Sequence, residues 1–264
     1  MQNRRASMTE HDQTLARQII ALMDLTSLND SDDDAAIIAL CHKALTPVGP
    51  VAAVCVYPQF VGLARRTLNA LDAAQIQVAT VCNFPSGSLP LAQVLQQVRE
   101  SLLAGADEID VVYPYPALLT GDRNSGRELV AACKALCGDQ ALLKVILETG
   151  ELSPLLIRQA SNDAIAAGAD FIKTSTGKVK VNASAEAAEI MLQVIAAHGG
   201  HVGFKPAGGM RKLYDAAVYL WLAERLLGPS WISPRHLRFG ASSLLDNTLR
   251  QIGLNREAAT PEGY

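Results

Sequence analysis

The feature that most restricts the fold is a repeat of hydrophobic pattern. Eight short apolar runs alternate with helical segments along the 264 residues, their centres spaced about 25 to 36 residues apart, the length of one strand-helix unit of a parallel sheet. The runs are Met23-Asp-Leu-Thr26, Val51 to Tyr57, Ile76 to Cys82, Glu108 to Val112, Ala141 to Leu147, Asp170 to Lys173, His201 to Lys205 and Leu237 to Gly240. Several are apolar at every position, as strands buried on both faces require. One closed (β/α)8 TIM barrel accounts for this length and period. An open doubly wound sheet is the alternative; it ordinarily shows a glycine fingerprint after its first strand, and Thr26-Ser-Leu-Asn29 is not one. The pattern predicts a single domain over 1–264, with a polar extension to about residue 17 and a tail from about residue 256.

Hydrophobic content of 49% allows a large core. A net charge of −3 gives no basic footprint for nucleic acid or an anionic membrane. With no apolar run of signal-peptide or membrane-span length, the chain reads as cytoplasmic. Five cysteines, an odd number, argue for free thiols rather than a disulfide framework. Cys133 and Cys137 share a helix face, but no histidine pair completes a zinc site, so no metal is expected. The acidic run Asn29 to Asp34 reads as a helix cap, because it lacks the glycine and distal glutamate of a calcium loop.

Within these apolar runs lie Asp24, Asp110, Lys144, Lys173 and Lys205. In a barrel the active site forms where strands end at their C-termini, and a core packed for stability alone does not need these groups. Arginine supplies 15 of the 23 basic residues, yet three of only eight lysines fall on predicted strands. A guanidinium stays protonated in a protein; an ammonium can shed its proton and become a nucleophile. Lys173 is the focus, since alternation sends it and Phe171 to one face and Ile172 and Thr174 to the other. Lys205 is on the neighbouring strand. At about 5 to 6 Å and an effective dielectric near 20, two ammonium groups repel by about 3 kcal/mol, roughly two pKa units, and desolvation pushes the same way, so from about 10.4 one of them is expected to titrate between about 7 and 8. Asp110 and Lys144 are placed to move protons; a buried structural ion pair is the alternative and is compatible with that role.

Three glycine-bearing loops follow the last strands: Thr176-Gly177-Lys178, Gly208-Gly209-Met-Arg211, and Gly240-Ala-Ser242-Ser243 ahead of a helix. Outward-turned N–H groups in front of a helix N-terminus suit an anion such as phosphate, unless these glycines serve only tight turns.

The segments Leu22 to Thr26, Gly105 to Val112, Leu143 to Leu152, Asp170 to Lys178, Val202 to Gly209 and Arg238 to Ser243 closely resemble those of the deoxyribose-phosphate aldolase family, and the similarity runs from about Ala21 to Leu245. That resemblance implies a metal-independent class I aldolase without a cofactor, acting in deoxyribonucleoside breakdown. Its reaction is the reversible cleavage of 2-deoxy-D-ribose 5-phosphate to D-glyceraldehyde 3-phosphate and acetaldehyde. By matching position it implies Lys173 as the Schiff-base lysine, Lys205 as the neighbour that lowers its pKa, Asp110 as the proton carrier, and Lys144 and Asp24 as support. Thr176, Gly177, Lys178, Gly208, Gly209, Arg211, Gly240, Ser242 and Ser243 are the implied phosphate cup. Cys55 matches a thiol that meets reactive aldehydes in some members, and the terminal Tyr264 resembles a tyrosine that reaches the site in others, with different spacing and a nearby proline here. The family also implies a homodimer.

Overall fold

The computed structural model describes residues 10–254. Its strands are β1 (Met23–Thr26), β2 (Ala53–Val56), β3 (Gln77–Cys82), β4 (Glu108–Val112), β5 (Leu142–Ile146), β6 (Phe171–Lys173), β7 (Gly203–Lys205) and β8 (Phe239–Ala241). Each pairs in parallel with its successor from β1 to β7, and β8 pairs with β1, Asp24 opposite Gly240. Bridges from Phe204 to Leu237 and from Ala207 to Gly240 join the last two staves and close the ring. This is a (β/α)8 barrel.

The helices are α1 (Glu10–Ala21), α2 (Asp34–Ala44), α3 (Val61–Ala70), α4 (Leu91–Leu103), α5 (Tyr115–Leu119), α6 (Asn124–Cys137), α7 (Pro154–Ala166), α8 (Ala185–Ala197), α9 (Leu213–Leu227) and α10 (Ser243–Gln251). Local chemistry starts several of them. Asp33 accepts from the Ala36 amide at the head of α2, Ser153 from Leu156 at α7 with Pro154 as its first residue, and Ser184 from Ala187 at α8, each satisfying an N–H that the first turn leaves free. The acidic run therefore caps a helix, as its composition predicts.

Helix α1 was not legible in the polar start. It forms because Leu15, Ala16, Ile19 and Ile20 make one buried face, a stripe at helical period hidden among charged neighbours. A two-stranded hairpin, Leu45–Thr46 with Gly49–Pro50, is a second addition. Among the described residues no helix is long and apolar enough to cross a membrane.

Alternation along each strand divides the interior in two. Outward residues such as Val54, Val78, Ile109, Val145, Ile172 and Phe204 pack under the helices in the main apolar core. Inside the ring a small separate apolar cluster is built from Leu28, Cys55, Ala79 and Val81, and Phe171 lies beneath the Arg238 guanidinium. A barrel interior is usually filled by branched aliphatic side chains. Here much of the rest of the ring is occupied by charged side chains.

Candidate active site

Register brings the predicted strand residues together. Lys173 lies opposite Lys205 on β6 and β7, and Asp110 opposite Lys144 on β4 and β5. All point inward. Asp110 is the hub: its Oδ2 accepts from Lys173 Nζ at 2.8 Å and Lys205 Nζ at 2.7 Å, and its Oδ1 accepts from Lys144 Nζ at 2.8 Å. Sharing one oxygen holds the Lys173 and Lys205 nitrogens within about 5.5 Å of each other, the separation that neighbouring strands predict. Lys205 also donates to Asp24, and Lys144 lies 3.5 Å from the same carboxylate. Gly240 leaves room for this, since a Cβ there would sit 3.3 Å from Lys205 Cε and 2.9 Å from Ala207 Cβ.

Two further members of the cluster were not singled out from the sequence. Glu108 accepts from Lys144 Nζ at 2.6 Å, and Arg238 spans Glu108 at 2.7 Å and Asp24 at 2.6 Å. Both are buried. The signal was parity: Glu108 is two residues before Asp110, and Arg238 two before Gly240, so each pair shares a face.

Burial is the largest influence on Asp24, Asp110, Lys144, Lys173 and Lys205, and partners decide its outcome. Lys173 is only 3% exposed. Burial pushes its pKa down, Asp110 pulls it back, Lys205 pushes it down again, and the balance lies below an ordinary lysine. Burial also opposes charge on Lys144 and Lys205, but two close carboxylates each outweigh it and raise both pKa values. Asp110 and Asp24 are buried too, yet the lysines, with Arg238 beside Asp24, hold both below the usual carboxylate range. Desolvation and repulsion from Lys205 both act in the direction the sequence reading gives them; desolvation is the larger, and Asp110 opposes both.

Above Lys173 a cavity of about 210 Å³ opens at the C-terminal ends of the strands. Lys173, Thr176, Gly177, Lys178, Gly208, Gly240 and Ser242 line it, together with Thr26, Leu28 and Asn29. Gly177 and Gly208 have φ of 85° and 76°, a left-handed backbone that side chains disfavour. Gly209 and Ser243 lie beside this cavity in sequence but outside its lining, and so does Arg211, whose amide caps onto Asp215 and whose carbonyl accepts from Asn247. Cys55 is buried, and burial raises the pKa of its thiol. Tyr264 and the tail from residue 256 lie outside the described residues. Among the described residues no group of three or more His, Cys, Asp or Glu side chains is disposed to hold a metal ion.

The sequence reading also passed over Glu148. It follows β5 in a left-handed conformation, φ 58°, is buried, and accepts from both the amide and the hydroxyl of Thr176. The Thr176 hydroxyl oxygen in turn accepts from the Lys178 amide, and Lys178 Nζ reaches the Leu28 carbonyl at 2.6 Å across the mouth. A strained, buried carboxylate after a strand is often a device of a functional site. Here it fastens the first glycine loop to the strand end beside Lys173.

This barrel has counterparts among solved structures. A protein of Toxoplasma gondii ME49, described as a candidate deoxyribose-phosphate aldolase, superposes with a TM-score of 0.85 at 25% identity, over 93% of this chain and 99% of that one. One of Coccidioides immitis with the same description gives 0.76 at 28% identity, over 88% and 86%. The deoxyribose phosphate aldolase of Aeropyrum pernix, 21% identical over 93% and 99%, shares the fold with a TM-score of 0.73. The family model of DeoC/LacD family aldolases matches residues 18–245, and the chain belongs to that family.

Proposed function

We propose that this chain is a deoxyribose-phosphate aldolase that cleaves 2-deoxy-D-ribose 5-phosphate reversibly to D-glyceraldehyde 3-phosphate and acetaldehyde through an imine on Lys173. One observation supports it above others: of the three interior lysines, Lys173 alone lines the cavity, and it alone has a lowered pKa. An amine that gives up its proton more readily than an ordinary lysine, at the base of a cavity, is placed to attack an aldehyde. Its attack on C1 of the open-chain sugar and loss of water give an iminium. When the C3 hydroxyl loses its proton, the C2–C3 bond breaks and its electrons flow to the iminium nitrogen, leaving an enamine and releasing glyceraldehyde 3-phosphate. Protonation of the enamine at C2 and hydrolysis then release acetaldehyde and restore the amine. Asp110, bonded to all three lysines, connects the groups through which these protons pass. The loops at Gly177, Gly208 and Ser242, with the start of α10, provide donors for the phosphate.

The descriptions of the Toxoplasma gondii and Coccidioides immitis structures, each at least 25% identical to this chain, support this substrate. The test is direct. Acetaldehyde with borohydride is expected to leave a two-carbon adduct on Lys173, mapped by mass spectrometry, and a panel of phosphorylated sugars is expected to give retro-aldol cleavage with 2-deoxyribose 5-phosphate foremost. An unmodified Lys173 would sink the Schiff-base step; preference for another sugar would replace the substrate.

Glu148 gives a second expectation. In Glu148→Ala the Thr176 loop loses its fastening, so KM for the phosphorylated sugar is expected to rise about tenfold, while cleavage of unphosphorylated 2-deoxyribose changes little. Equal losses on both substrates would deny the loop role.

A further inference from the structure

Seven charged side chains inside the barrel form one bonded cluster: the cations Lys144, Lys173, Lys205 and Arg238, and the carboxylates Asp24, Glu108 and Asp110. Within this buried cluster four cations face three carboxylates, so full protonation leaves one positive charge without a bonded counter-charge. An uncompensated buried charge is the state a protein interior tolerates least. The surplus is relieved when one lysine releases its proton. Lys144 and Lys205 each touch at least two carboxylates and Arg238 two, whereas Lys173 touches only Asp110.

We propose that Arg238 and Glu108, on the floor of the barrel and away from the substrate cavity, set how readily Lys173 gives up its proton. Arg238 supplies the surplus charge, and Glu108 is the counter-charge that limits it. They are positioning residues acting through Asp24, Lys205, Lys144 and Asp110. Arg238 is 4% exposed and, with Glu108, borders a separate cleft of about 540 Å³ at the N-terminal strand ends, beneath α1 and the hairpin. Neither lines the cavity above Lys173. The groups around Lys173 are Asp24 from β1, the Cys55 thiol from β2, Glu108 and Asp110 from β4, Lys144 from β5, Glu148 after it, Lys205 from β7 and Arg238 ahead of β8. Glu148 is bonded to Thr176 rather than to a lysine but lies near enough for its charge to act on Lys173, and β3 contributes only Ala79 and Val81 to the interior apolar cluster.

This deepens the reading of Lys173 as the amine nucleophile and rests on it, so the test separates the two. Competitive acetylation with trace acetic anhydride across pH, read on the Lys173 peptide by mass spectrometry, reports the neutral amine without any aldehyde. Removing a positive charge favours the ammonium, so Arg238→Met is expected to move the Lys173 midpoint up by about one pH unit. Removing a negative charge does the opposite, so Glu108→Gln is expected to move it down by a similar amount. Arg238→Lys keeps the charge and is expected to stay near the parent value. Opposite shifts support the proposal; no shift, or both shifts in one direction, in variants that keep the parent circular dichroism, overturns it. Should Arg238→Met fail to fold, Glu108→Gln and Arg238→Lys decide alone. Expected shifts without any acetaldehyde adduct would leave this inference standing and remove the aldolase reading instead.

Discussion

Replacing Lys173 with leucine is expected to reduce turnover by at least about four orders of magnitude while the barrel stays folded. The loss follows from covalent catalysis, since no other interior lysine lines the cavity and a neighbouring ammonium cannot reach the carbonyl in its place. Persistence of the fold follows from the charge count. Removing Lys173 leaves three cations against three carboxylates, and Asp110 keeps its bonds to Lys144 and Lys205. Truncating one member of a buried ion pair ordinarily costs about 3–5 kcal/mol because the partner is stranded. Here the partner is not stranded, so a change in melting temperature of only a few degrees is expected. Residual cleavage above background, measured on homogeneous protein, would exclude Lys173 as the nucleophile; collapse of the fold would contradict the charge count.

Much of this arrangement could be read from residue pattern. The eight strands fall within a residue or two of their hydrophobic runs, because a strand buried on both faces is apolar at nearly every position and leaves a clear outline. Within them Asp24, Asp110, Lys144, Lys173 and Lys205 stood out as polar exceptions, and period-two alternation put Lys173 on one face with Phe171; that this face is the interior came from the structure. Two things stayed hidden. Helix α1 carries four buried residues among eight others, too dilute a stripe to stand out beside the flanking polar start. Glu108 and Arg238 sit at strand beginnings, where a charged side chain reads as solvated; only ring closure brings β8 back beside β1 and places Arg238 over Asp24. The opposing pull of Asp110 on Lys173 was hidden for the same reason. Two lysines on adjacent strands predict repulsion, but the carboxylate bridging them comes from β4, two staves from β6, and its position is a property of the closed interior rather than of either strand.

The hub itself yields the second large effect, and one that separates catalysis from nucleophile activation. Asp110→Asn keeps the shape of the side chain and removes its charge. Three lysines lose a carboxylate together, so each is held less firmly as a cation, and Lys173, already the least compensated, becomes neutral at lower pH. Adduct formation with acetaldehyde and borohydride is therefore expected to persist, with its midpoint displaced toward acid. Turnover is expected to fall about 10²- to 10⁴-fold all the same, because the group that links the proton-bearing lysines is gone. Stability moves with pH in a definite sense. Asp110 in the parent protein is held below its usual pKa, so its contribution is present above the ordinary carboxylate range and is lost as pH falls through it toward the lowered value. The asparagine variant lacks that contribution at neutral pH and is expected to lose less stability on acidification than the parent. Adduct yield at matched pH, kcat and urea midpoints at neutral and acidic pH measure these effects independently. A variant that traps acetaldehyde yet turns over at the parent rate would show that protons travel by another route, and one that no longer traps at any pH would make Asp110 necessary for the amine itself.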